Sequence, residues 1–209
     1  MRMSLPFVLA SLAGALTLAA APANAQSKGD WTVSVGAHQV APTSHNGTLA
    51  GGTLKVDVGN DARPTVTGEY FIADNLGIEV LAALPFQHDI HIAGLGRVGS
   101  TRHLPPVVSL QYHFNGQGTV SPFVGAGVNY TTFFSEKTGG ALAGSTLRLK
   151  DSWGLAAHAG VDVRLSERGA LRLDMRWIDI DSTVKLDGQR LGSVRIDPLV
   201  YGAAYVFTF

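Results

Sequence analysis

His158, Asp162, Arg164, Arg172, Asp174 and Arg176 lie close together in the C-terminal third of the chain, and Glu69 and Glu79 lie further upstream. Carboxylates, guanidiniums and an imidazole brought together can move protons or neutralise one another. No G-x-S-x-G elbow occurs and no nucleophile is identifiable, so pairing is the favoured reading and no enzyme is expected. His88 and His91 are separated by two residues, with His103 nearby. A metal would need a third ligand at fixed geometry, and H-E-x-x-H is absent, so these read as solvated loop histidines with no metal site. Gly94-Leu-Gly-Arg-Val-Gly99 matches the dinucleotide fingerprint G-x-G-x-x-G. That motif works between a strand and a long helix, which Leu104-Pro105-Pro106 blocks, so a flexible loop and no cofactor are expected.

Which of these side chains meet depends on the elements that carry them. Leu171, Leu173, Met175 and Trp177 alternate with Arg172, Asp174 and Arg176, and residues two apart in a strand share a face. Trp153, Leu155, Ala157, Ala159, Val161 and Val163 likewise oppose His158, Asp162 and Arg164. An arginine facing lipid at the midplane costs ~2–4 kcal/mol, so the charged sides point inward and the apolar sides meet lipid. A narrow lumen holds little beyond side chains. Glu69, Glu79, His158, Asp162, Arg164, Arg172, Asp174 and Arg176 are therefore expected to pair and plug the lower lumen.

Composition fits strands in a membrane. Hydrophobic residues make up 45% of the chain and charged residues only 15%, below the ~25% usual in soluble domains. No mature segment approaches the ~18 apolar residues of a transmembrane helix, whereas a barrel spreads its apolar surface over alternate residues. Sixteen basic residues balance sixteen acidic ones, with no basic patch for nucleic acid, and no cysteine is present for disulfides or thiolate zinc. Residues 1–25 read as a secretory signal peptide, with Arg2, an apolar stretch over 5–18 and Ala23-Asn24-Ala25. Residues 26–209 then form one domain.

Eight strand-like segments are read at 31–40, 63–73, 76–85, 103–114, 122–133, 151–164, 170–182 and 193–209. Tight turns at 74–75, 115–118 and 166–169 alternate with longer links over 41–62, 86–102, 134–150 and 183–192. Short turns on one side and long loops on the other predict an all-β, eight-stranded antiparallel transmembrane β-barrel in a Gram-negative outer membrane, both termini periplasmic. Trp31, Tyr112, Phe114, Tyr130, Phe133, Phe134, Trp153, Trp177 and Tyr205 suit interfacial girdles. Tyr205, Phe207 and Phe209 share the lipid face of a last strand that closes on the first.

Beyond Trp177 the alternation inverts. Asp179, Asp181, Arg195 and Asp197 fall on the outer side, and Ile178, Ile180, Val194 and Ile196 turn inward. Both strands therefore project past the membrane, with an apolar upper lumen to which Leu81 and Val107 also contribute. Pro85, Pro105, Pro106 and Pro198 sit at the long-loop ends of strands. Proline donates no ladder hydrogen bond, so these residues end the strands or leave a sideways opening in the wall.

Several blocks resemble the outer membrane protein W family. They are Asn75-Leu-Gly-Ile-Glu-Val-Leu-Ala-Ala-Leu-Pro-Phe86, His103-Leu-Pro-Pro106, Pro122-Phe-Val-Gly-Ala-Gly-Val-Asn-Tyr-Thr-Thr-Phe-Phe134, Leu149-Lys-Asp-Ser-Trp-Gly154, Asp179-Ile-Asp181 and Val194-Arg-Ile-Asp-Pro198. The resemblance implies an outer-membrane barrel with a largely apolar interior that passes small hydrophobic solutes. It also implies a chain end presented to the barrel-assembly machinery, although Thr208 stands where the family usually carries a basic residue. The expected function is a narrow channel for small apolar molecules, with outer-membrane lipid receiving them through the side. The alternative is a non-conducting structural or interaction barrel whose loops bind partners such as bacteriocins or phage.

Overall fold

The computed structural model describes residues 26–44 and 46–209, so the signal-peptide expectation for 1–25 lies outside the described residues. The strands are β1 (Trp31–Ala41), β2 (Thr48–Leu49), β3 (Leu54–Val58), β4 (Asp61–Ala73), β5 (Leu76–Ala83), β6 (Phe86–Ile92), β7 (Gly96–Leu104) and β8 (Val107–His113). They continue as β9 (Val120–Thr138), β10 (Leu147–Leu149), β11 (Ser152–Ser166), β12 (Gly169–Ile178), β13 (Asp181–Leu186), β14 (Gln189–Arg195) and β15 (Leu199–Thr208). Eight of them close into an antiparallel barrel in the order β1, β4, β5, β8, β9, β11, β12, β15 and back to β1. Phe209 N donates to Trp31 O at 2.9 Å, so the last strand closes on the first at the end of the chain. The turn after β4 is tight because Asn75 adopts φ 63°, a left-handed conformation that asparagine tolerates.

Closure satisfies the backbone in lipid, and the pleat then sorts the side chains. Leu155, Leu173, Met175, Val108 and Val128 are exposed around the outside, whereas Arg172, Arg176, Glu69 and Glu79 are each at most 3% exposed. Of the aromatics expected at the girdles, Trp31, Tyr112, Phe114, Trp153, Trp177 and Tyr205 are exposed on the outside. Tyr130 and Trp153 pack with ring centroids 4.8 Å apart, and Trp31 packs on Tyr70 at 4.7 Å. Phe133 does not join them; it is buried and points inward against His103.

The long links also differ from the irregular loops read in the sequence. Residues 86–102 contribute to the hairpin of β6 and β7, extending the wall above the aromatic belt. Gly94 (φ 82°) and Gly96 (φ 71°) shape its turn, and β7 runs straight on through Gly99. The Gly94–Gly99 motif is thus a hairpin turn and strand, since its glycines permit the turn and the following residues pair with β6. β3 adds to the outer edge of β6, and β10, β13 and β14 form a separate small sheet.

Three predicted strands are broken. The fourth segment stops at Leu104 and restarts at Val107 around Pro105-Pro106. The seventh and eighth divide around Asp179-Ile180 and Ile196–Pro198, where Asp197 takes φ 35°. The pair nevertheless continues upward, because Ile196 N donates to Ile180 O at 2.9 Å.

The faces make a sharp prediction for the neighbours Ala157 and Ala156. Ala157 is exposed on the lipid side, whereas Ala156 is buried in the apolar cluster and leaves no room for a long side chain. Ala157→Arg should cost ~2–4 kcal/mol of stability, measured by urea unfolding in lipid vesicles. Ala157→Leu should cost almost nothing, and equal penalties would contradict the assigned register.

Candidate functional site

The interior has two floors. In the lower one, Arg172 from β12 donates from Nε and Nη2 to Asp162 at 2.7 and 2.8 Å and from Nη1 to Glu79 at 3.0 Å. Its guanidinium also lies 4.5 Å from the Phe123 ring centroid. Arg176 donates to the other Glu79 oxygen at 2.6 Å. The forked pairing with Asp162 suits a guanidinium, whose rigid donors match a carboxylate. Charges so far from water persist only when paired this closely.

The pairing extends to residues that sequence reasoning missed. Gln111 donates to Glu69 at 2.9 Å, His113 lies 3.1 Å from the other Glu69 oxygen, and His158 hydrogen-bonds with Gln111 at 2.8 Å. Asp174 meets His38 at 2.9 Å, and His38 reaches Thr65 at 2.6 Å. Parity along β8, which places Val107, Ser109, Gln111 and His113 on one face, was the available signal for Gln111 and His113. Arg164 stands apart from the layer, since it donates to the carbonyls of Gly116 and Gln117 in the turn after β8.

Above the charges lies a pocket of about 20 Å³ bordered by Leu81, Ala83, Phe86, Pro105 and Ile178 on one side and Glu79, Arg172 and Arg176 on the other. That is room for about one water. Ile180 and Val107, both wholly buried, belong to the same apolar cluster as Leu81 and Ile178. Higher still, a cavity of about 180 Å³ opens under the loops, lined by Leu49, Val56, Ile92, Leu147, Val184, Val194, Ile196 and further aliphatic residues. Of the six expected apolar lumen residues, Val194 and Ile196 line this vestibule, and Leu81 and Ile178 line the small pocket.

The expectation of solvated histidines fails for His88 and His103, which are fully buried, while His91 is only partly covered. Both face inward because residues 86–102 form a paired hairpin instead of a loop. Their rings stack with centroids 4.9 Å apart, and Phe86 and Phe133 flank His103 at 5.7 Å each. Among the described residues no group of three potential ligands could hold a metal.

Burial, and the neighbouring His88, hold the His103 pKa well below 6.5. Burial lowers His88 as well, against the raising influence of the Gly59 carbonyl and of Asp61 and Asp89, with Arg63 adding to the depression. A histidine depressed in the folded state takes up a proton on unfolding, so its contribution is complete above its unfolded value and fades as pH falls below it. Amide exchange in β6 and β7 should therefore show falling protection from about pH 7.5 to about pH 5 once intrinsic rates are removed. His103→Phe should flatten that trend, and an unchanged slope would contradict the assignment.

The wall itself is interrupted at one height. The β5–β8 ladder ends at Leu81 opposite Val107, and pairing resumes at Phe86 opposite His103. Residues 82–85 and 104–106 face each other between these points without ladder pairing, and Pro85, Pro105 and Pro106 lie there. On their other side Pro105 and Pro106 leave the wall intact, because Tyr130 N and Asn129 Nδ2 donate to Pro106 O. Pro198 marks no comparable break, since Ile178 N donates to its carbonyl at 3.3 Å.

The sequence pattern of the OmpW family matches residues 27–209. Outer membrane protein W of Escherichia coli (strain K12) is 38% identical over 200 residues, covering 91% of this chain and 94% of that protein. Outer membrane protein AlkL of Ectopseudomonas oleovorans is 33% identical over 195 residues, covering 87% and 84% respectively. The crystal structure of the outer membrane protein OprG from Pseudomonas aeruginosa superimposes with a TM-score of 0.78 at 31% identity, covering 89% of this chain and 98% of that one. With matching sequence and barrel, the chain belongs to the OmpW family of Gram-negative outer-membrane β-barrels.

Proposed function

We propose that the protein is a narrow, non-enzymatic conduit for small apolar molecules, which enter between the extracellular loops, lodge in the vestibule and leave sideways into the outer leaflet. The observation that carries this reading is an apolar cavity of about 180 Å³ standing above a lumen filled with paired charges. Passage straight down would separate buried ion pairs, which is costly. Passage sideways exchanges one apolar surrounding for another, so the unpaired stretch at Pro85, Pro105 and Pro106 is the low-energy exit. Phe86 and Pro105 border a space of only about 20 Å³ there, so release requires these side chains to move. A relative 26% identical over 141 residues is named the dibenzothiophene metabolism operon protein PahQ, and dibenzothiophene is a compact apolar ring system.

Under the same reading residues 1–25 are removed on export, residues 26–209 form the barrel, and Tyr205, Phe207 and Phe209 are the end presented to the barrel-assembly machinery. The conducting role is tested by purified protein in vesicles, using an apolar fluorescent solute and ion conductance as separate readouts. Uptake above that of protein-free vesicles, with no matching ion current, is expected. No added uptake would favour the non-conducting interaction barrel.

A further inference from the structure

All but two of the residues lining the vestibule are aliphatic, and the exceptions, His88 and Thr101, face each other across β6 and β7. His88 Nδ1 lies 2.5 Å from the Gly59 carbonyl. A carbonyl oxygen only accepts, so Nδ1 carries the hydrogen and the Nε2 of the neutral ring is an acceptor. That Nε2 is buried with no partner among the described residues. Stacked on it, His103 has both ring nitrogens buried and unpartnered. Whichever tautomer His103 adopts, it offers one donor and one acceptor.

Unsatisfied buried polar groups are rare because each carries the cost of its lost hydration. The Gly59 bond uses only the Nδ1 of His88, and the same ring lines the aliphatic chamber with its Nε2 unpartnered. A partner entering from the chamber must donate to the His88 Nε2 and tolerate aliphatic walls. An alkane offers nothing, a carbonyl cannot donate, and an ionised carboxylate would enter the apolar cavity at high desolvation cost. A single hydroxyl donates and adds little polar surface to an apolar molecule.

We infer that the vestibule takes apolar molecules bearing one hydroxyl group, of the medium-chain alcohol type, with the hydroxyl held at the His88 Nε2. This rests on the reading of the vestibule as the solute's entry chamber and adds to it a preferred substrate class.

The test uses the full barrel in lipid nanodiscs, with labelled histidine rings and Ile, Leu and Val methyl groups, titrated separately with 1-octanol and n-octane. Both probes should move the methyl signals of Val56, Ile92 and Ile196, and only 1-octanol should move the His88 Nε2 resonance. His88→Phe should weaken 1-octanol binding about tenfold more than n-octane binding, the scale of one lost hydrogen bond. If that variant fails to fold, the shift of the His88 Nε2 resonance in the unmodified barrel, with 1-octanol against n-octane, decides alone. Equal effects on both probes, or the same imidazole shift with either, would show a structural or water-filled stack and overturn the inference while leaving the entry chamber intact. Should neither probe move the methyl signals, the entry-chamber reading fails and the inference fails with it.

Discussion

Replacing Arg172 with methionine should leave little folded barrel. Methionine preserves much of the length and the packing on Phe123, but it removes the cation that meets Asp162 and Glu79 at 2.7–3.0 Å and Glu69 at 3.7 Å. Three buried carboxylates then share Arg176 and their histidine and amide partners. Removing one member of a buried ion pair typically costs ~3–5 kcal/mol, a large fraction of the ~5–15 kcal/mol that holds a domain together. Arg172→Lys should fall between the two, because it restores charge without the fork that grips Asp162. Heat-modifiable migration and urea unfolding in vesicles measure both variants. A loss below about 1 kcal/mol for Arg172→Met would mean that the plug is dispensable.

The second large effect is expected at Ile180, in the opposite floor. Its side chain is completely buried among apolar neighbours, where the chain has left the membrane-spanning part of β12. Ile180→Asp places a carboxylate there at a cost of several kcal/mol unless water follows it. The barrel below Trp177 keeps its own ladder with β15, so the variant should still insert. Uptake of an apolar solute should fall at least about tenfold as the vestibule hydrates, whereas Ile180→Val, which costs ~0.5–1.5 kcal/mol, should keep most of it. Asp174→Asn alters the His38 contact in the lower floor and should change apolar uptake little. The reverse pattern would place the solute's route through the charged layer.

The barrel was legible because lipid enforces a strict rule. Arg172, Asp174 and Arg176 could not share a side with Leu171, Leu173, Met175 and Trp177, so period-2 alternation assigned the faces of β11, β12 and β15 directly. The upper structure was harder to read because its strands pair outside chain order, as when β3 adds to β6 or β10 to β13. Glycines that marked a loop in the sequence supply the turn of a paired hairpin. That error carried His88 and His103 into solvent, although Phe86, His88, Ile90 and Ile92 already alternated at strand spacing. Phe133 was misplaced for a related reason: an aromatic residue near a strand end fits a membrane girdle and an inner stack equally well, and only the facing hairpin decides.

Lateral release can be tested by closing the wall. The chain contains no cysteine, so an introduced pair is unique. Extending the β5–β8 register one step past Leu81 and Val107 brings Ala82 opposite Pro106 at the unpaired stretch. The Ala82→Cys and Pro106→Cys double variant, reconstituted in vesicles, should take up an apolar fluorescent solute when reduced. Oxidation to the disulfide should abolish that uptake, and reductant should restore it. Equal uptake in the two states would contradict release through the side of the barrel.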